Sequence, residues 1–304
     1  MLTIFSIPKP FKDHIGIIQR NAIHSWKMLR PACEIILCGD TMGVKEAAIE
    51  FGVKHLPDIT QNEYGTPLLN SVFEKVVKTA QWPCLCYVNA DIILLNDLLR
   101  AIKRIPYRPF MAVGQRTNVT ITEPLDFEKP SWHSELVETV NRSGEQVDVN
   151  WIDCFVFSPN GNLEKLLPFA VGRPNWDNWF IYNARKLHVP IVDFTRVCTL
   201  IHQKHDYSHV PQREGNCWDG PEANQNHELL VKSMGNSGYL CNINDATHIL
   251  TKKLLIPSLG EGYLRQRWYT GVVINPALKP IADALRPFFR LRRRMMDGLK
   301  KFFG

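Results

Sequence analysis

Through the first 115 positions, short apolar runs alternate with longer stretches in which apolar residues recur every three or four places. That pattern predicts strands laid side by side and covered by helices. Residues 2–7 (LTIFSI) read as a strand stopped by Pro8 and Pro10, and 14–29 as a helix with Ile15, Ile18, Ala22, Trp26 and Leu29 on one face. A second strand is expected over 33–38, helices over 44–51 and 68–80, and a short strand at 54–56. The run CLCYVNADIIL, 84–94, is the most β-prone segment and reads as one strand. A helix at 97–105 and a strand at 110–114 complete a half with the character of a nucleotide-binding sheet.

After Arg116 the periodicity loosens into a polar loop, followed by helices expected at 132–141, 163–169 and 176–187 and strands at 152–157, 189–194 and 197–201. Residues 202–244, rich in His, Asn, Gly and Glu, read as a long loop, and loops of that length usually carry function. The division this predicts is a catalytic domain over 1–260, with a nucleotide-binding half at 1–116 and an acceptor half at 117–260, then an extension over 261–304.

Length and composition narrow the function classes. At 304 residues, with 45% hydrophobic and 22% charged side chains, the chain has ordinary globular usage. Its net charge of +6 lies wholly in residues 286–304, where seven basic side chains face Asp297; the rest balances at 29 basic and 29 acidic. A neutral body argues against a nucleic-acid footprint. The eight cysteines form no CxxC pair and lie largely in apolar runs, so neither a disulfide framework nor a thiolate zinc site is expected. No 18-residue apolar run and no secretory leader stand in the sequence, and a cytoplasmic protein is expected.

Residues 280–304 place apolar side chains mainly on one helical face and arginines and lysines largely opposite, as in helices that lie on anionic membranes. Packing of that helix on the body is the alternative. Deleting 280–304 is expected to release the protein from anionic liposomes in a sedimentation assay; undiminished binding would discard the membrane reading.

Ligands of a parallel α/β sheet gather at the carboxyl ends of its strands, so polar residues ending a β run are the candidates for chemistry. Asp91 in YVNADIIL is costly to bury unpaired, and a bound Mg²⁺ or Mn²⁺ would offset that cost; capping of a following turn is the bland alternative. Asp177 opens a helical pattern between Trp176 and Trp179, and HQKHDYSH, 202–209, packs three histidines into eight residues. Gly114-Gln115-Arg116 follows a strand and Asp153 begins one; Arg116 and Arg173 have guanidinium forks that match phosphate oxygens.

The segment 62–94, with Asn62, Gly65, Asn70 and Ala80 leading into Asn89-Ala90-Asp91, resembles the stretch before the DxD strand of GT-A glycosyltransferases, those of bacterial polysaccharide type most closely. The resemblance spans roughly residues 1–210 and departs from the pattern at Asn89, where the first acidic residue of DxD stands. It implies a mostly parallel Rossmann-like sheet flanked by helices, and transfer of a sugar from a nucleotide-diphosphate donor, UDP-linked first among the options, to a glycan or lipid-linked hydroxyl. Donor contacts would come from Pro8, Lys9, Asp40, Asn62, Gly65, Asn70, Asn89, Asp91 and Arg116. A divalent cation would sit on Asp91, His202 and His205, with Asp177 as the base of an inverting reaction. The acceptor would meet Asp153, Arg173, Trp176 and Trp179. A sugar nucleotidyltransferase, or a membrane-attached glycan-binding scaffold without chemistry, are the competing classes.

Overall fold

The computed structural model describes residues 1–205, 218–235, 240–281 and 283–284. In chain order the elements are β1 (Leu2–Ser6), α1 (Asp13–Lys27), β2 (Glu34–Cys38), α2 (Val44–Phe51), β3 (Lys54–Leu56), α3 (Leu69–Thr79), β4 (Cys84–Val88), β5 (Ile92–Ile93), α4 (Asp97–Lys103), β6 (Met111–Val113) and β7 (Arg116–Val119). Then come α5 (Trp132–Ser143), β8 (Glu145–Gln146), β9 (Cys154–Phe157), α6 (Trp176–Lys186), β10 (Ile191–Asp193), β11 (Leu200–Gln203), α7 (Pro221–Met234), β12 (His248–Leu250), β13 (Leu255–Pro257) and α8 (Glu261–Ile274). No helix among the described residues is long and apolar enough to cross a membrane.

A nine-stranded sheet runs β13-β12-β10-β6-β9-β4-β1-β2-β3. Its pairs are parallel except where β9 lies antiparallel between β4 and β6 and where β13 closes the edge. Both faces are covered, which is why β1 and β4 are buried at every position, Thr3 and Ser6 of β1 included. Alternate residues of each strand feed opposite layers. Phe5, Tyr87 and Phe155 enter the layer that Phe73 of α3 and Phe180 of α6 complete, while Ile4, Cys86 and Cys154 join Trp26 of α1 in the other. The Phe73 ring lies 5.1 Å from Phe5 and 5.6 Å from Phe157, at geometries favoured for aromatic pairs. All seven described cysteines are free thiols, most of them filling this core.

A second sheet, β5-β11-β7-β8, stands beside the first. It exists because 84–94 is not one strand. At Asn89 the backbone N–H donates to the Asp153 carbonyl, and Ile92 donates back to Asn89 across a tight turn, so the chain leaves β1 and pairs with β11 instead. Asn89-Ala90-Asp91 is therefore the corner between two sheets.

Three other expectations are corrected. Residues 163–169 form no helix; Pro168 lacks the N–H a helix would need, and Leu163, Leu166 and Phe169 reach the core from an irregular segment that bridges to Leu68 at Ala170. The polar run after Gln115 contains β7, stabilised by parallel pairing with β11 rather than by its own propensity. Within 202–244 lies α7, opened by Gly220 and Pro221 and too sparsely apolar to show a helical period. The basic helix expected over 280–304 falls largely outside the described residues, as do Asp206 and His209.

Candidate functional site

The corner at Asp91 is held from behind by α1. Trp26 Nε1 donates to the Ile92 carbonyl at 2.9 Å, and Leu94 donates to Ser25 Oγ at 3.1 Å. Gln203, fully buried, donates through Nε2 to the carbonyls of Ile18 (2.7 Å) and Asp91 (3.2 Å) and accepts from Asn21. This glutamine stands between His202 and His205 and fixes the end of β11 against the corner. In the sequence it is only an amide among histidines, with no sign of its burial.

So placed, Asp91, His202 and His205 offer three ligand atoms within 4.8 Å of one another. His205 Nε2 lies 3.1 Å from Asp91 Oδ2, and His202 Nε2 is 4.0 Å from Oδ1. Asp91 is buried, and its Oδ1 has no hydrogen-bond partner among the described residues. An orphaned carboxylate oxygen facing two imidazoles fits a divalent cation. Burial alone would raise the Asp91 pKa, but the Lys9 ammonium and the two imidazoles outweigh it and hold the carboxyl well below the ordinary range. Burial drives His202 the other way, down to about 4 against the pull of Asp91, so its ring is neutral at pH 7 and has a lone pair to give.

Lys9 reaches this group from the loop after β1. Gln19 clamps its peptide on both sides, accepting from Lys9 N at 2.7 Å and donating to its carbonyl at 2.9 Å. Thr41 donates to the Pro8 carbonyl, which brings Pro8 and the exposed Asp40 together at the carboxyl ends of β1 and β2.

Asn89 turns away from the histidines. Its Nδ2 donates to Asp153 Oδ1 at 2.6 Å and its Oδ1 accepts from Tyr87. Asp153 also receives Arg116 at 2.5 Å, a pair in which both residues are buried, and the Arg116 guanidinium lies 5.0 Å over the Trp151 ring. Beside them opens a cavity of about 480 Å³, walled by Arg116, Asn118, Asp148, Trp151, His202 and His205. Asn118 Oδ1 on this wall is buried and without a partner among the described residues. Trp151 did not stand out in the sequence, since an isolated tryptophan in a polar run carries no motif.

Asp177 lies in the first turn of α6. Burial, joined by the neighbouring Asp153 carboxylate, lifts its pKa to about 7, with the amides of Asn178 and Asp177 opposing. Its two flanking tryptophans do not line an open surface. Trp176 is 6% exposed and packs against Tyr87 and Phe155, and Trp179 is 5% exposed with Nε1 donating to Ser233. The expected aromatic acceptor wall at 176 and 179 is corrected to core.

A different role also falls to Asn62 and Arg173. Asn62 Oδ1 accepts from Tyr64 and Thr66 in a turn whose Gly65 adopts φ +77°, and its Nδ2 donates to Glu222. Arg173 donates through Nε and Nη2 to the same buried Glu222. The three tie the 62–66 loop to the start of α7. Asn70, in the first turn of α3, keeps a buried Oδ1 without a partner among the described residues.

No family model matches the chain, and no curated protein does. Among solved structures it is similar to GalNAc-T7, solved with UDP, GalNAc and Mn²⁺, at a TM-score of 0.50 and 12% identity over 77% of this chain and 48% of that one. The chain thus spans about half the length of that protein. Glucosyl-3-phosphoglycerate synthase of M. tuberculosis follows at 0.44, with 11% identity over 76% and 80% of the two chains. CMP:2-keto-3-deoxy-manno-octonic acid synthetase, solved with CTP, reaches 0.37 at 10% identity over 76% and 98%. The fold is GT-A-like: a large, mostly parallel α/β sheet flanked by helices.

Proposed function

We propose that this chain is a glycosyltransferase that moves a sugar from a nucleotide-diphosphate donor, UDP-linked by first choice, to a hydroxyl of a glycan or lipid-linked glycan, with inversion. The observation that carries the reading is the Asp91, His202 and His205 group at the carboxyl end of the sheet, beside an open cavity, in a GT-A-like fold.

The nucleotide would lie over the ends of β1 and β2, against Pro8 and Asp40. Asp91, His202 and His205 would hold the divalent cation, whose chemistry is to neutralise charge on the leaving diphosphate. Two imidazole nitrogens beside one carboxylate suit Mn²⁺ better than Mg²⁺, which favours an all-oxygen shell. Asn89, turned to Asp153, would serve as a positioning residue for the corner instead of a ligand. The acceptor ring would take the cavity, with Trp151 as a wall and the unpartnered Asn118 Oδ1 accepting from a hydroxyl. Asp177, with a pKa near neutrality, would take the proton of the attacking hydroxyl.

Incubation with UDP- and GDP-sugars, Mn²⁺ and candidate acceptors tests this reading. Release of free nucleoside diphosphate is expected. Formation of pyrophosphate from a nucleoside triphosphate and a sugar phosphate would indicate nucleotidyl transfer instead, and the absence of both products would remove the enzymatic reading.

A further inference from the structure

The place among Asp91, His202 and His205 has a positive charge at its edge already. Lys9 Nζ stands 3.5 Å from Asp91 Oδ2 and 3.2 Å from His205 Nε2, and those two atoms are themselves 3.1 Å apart. The ammonium thus lies on Asp91 Oδ2 and His205 Nε2, two of the ligand atoms open to a divalent ion bound through Oδ1. Gln19 pins the Lys9 backbone, but the side chain is 31% exposed, so its tip can leave without any change of fold. Two like charges at one carboxylate repel strongly where water is largely excluded. Oδ1 is open to an ion, but an ion that also takes Oδ2 and His205 Nε2 meets the ammonium there.

We propose that Lys9 is an internal counter-cation that a divalent ion must displace from Asp91, and that its displaced ammonium then meets the anionic phosphates of the donor. The displacement half stands on the cluster geometry; the phosphate half rests on the function proposed above. Lys9 therefore weakens metal binding in the absence of nucleotide and strengthens nucleotide binding. A lysine that only braced the corner would favour both ligands.

The opposite signs are the test. For Lys9→Met, Mn²⁺ affinity measured by calorimetry without nucleotide is expected to rise roughly tenfold, while UDP affinity measured at saturating Mn²⁺ falls several-fold. Lys9→Gln, closer in polarity, should move both in the same directions, and its melting temperature reports whether the fold is kept. Asp91→Asn should abolish Mn²⁺ binding, placing the ion at this cluster. Unchanged or weaker Mn²⁺ binding in both Lys9 variants would overturn the displacement, and so would Mn²⁺ binding that survives Asp91→Asn. Tighter Mn²⁺ binding in a protein that releases no nucleoside diphosphate from any donor would uphold the displacement and sink the glycosyltransferase reading.

Discussion

Asp91→Asn is expected to eliminate divalent-cation binding and to lower nucleoside diphosphate release by on the order of 1,000-fold, the scale at which loss of electrostatic stabilisation at a reacting centre is felt. The amide keeps the shape of the side chain and loses its charge, so the Lys9 ammonium and the His205 ring face a neutral group across the same distances. Stability should fall as well. The folded-state pKa of Asp91 is depressed, so the carboxylate contributes stability that is complete above the unfolded value near 4 and is lost as pH falls through the folded value. The variant should therefore melt below the native protein at pH 7 and approach it under strong acid. Manganese titration with calorimetric melting at pH 7 and pH 3 reads both effects; cation-dependent turnover retained by Asp91→Asn would remove the corner from the chemistry.

The grouping of Asp91 with the histidines was legible because a carboxylate in an apolar run and a histidine cluster after a strand are both costly unless something uses them. Their spacing in the chain says nothing of distance. What joins them is the antiparallel pairing of β5 with β11, where Ile92 stands opposite His202, and a two-residue strand leaves almost no periodic signal. The alternation that made α1, α3 and α6 readable records burial, and burial is the reason Trp176 and Trp179 were misread: a tryptophan beside a carboxylate looks alike in a sequence whether it faces a sugar or Phe155. Glu222 shows the converse. Its charge suggested from the sequence no more than a place in an acceptor wall, yet it ties Asn62 and Arg173 to the start of α7, segments far apart in the chain. Irregular segments such as 163–169 are positioned by the core they fill, and local propensity cannot report that.

Asp177→Asn should separate activity from stability. If Asp177 removes the acceptor proton, transfer needs its ionised form, so the rate should climb with pH through about 7, and the variant should lose transfer by about 10³-fold, within the range for general-base catalysis, while Mn²⁺ and UDP still bind. Stability moves the other way. Burial and the Asp153 charge raise the folded-state pKa above the unfolded one, so the stability contributed by the protonated form is full below about pH 4 and is lost as pH rises to about 7. At pH 8 the native protein bears the cost of ionising a half-buried carboxyl beside Asp153, and the asparagine variant does not. It should be the more stable of the two there, by on the order of a few kcal/mol, with the advantage shrinking toward pH 4. Asp91→Asn and Asp177→Asn would then both be inactive yet shift the melting temperature in opposite directions at pH 8. A lower melting temperature for Asp177→Asn at that pH, or transfer that stays flat between pH 5 and pH 8, would show that this carboxyl is neither poised nor used as a base.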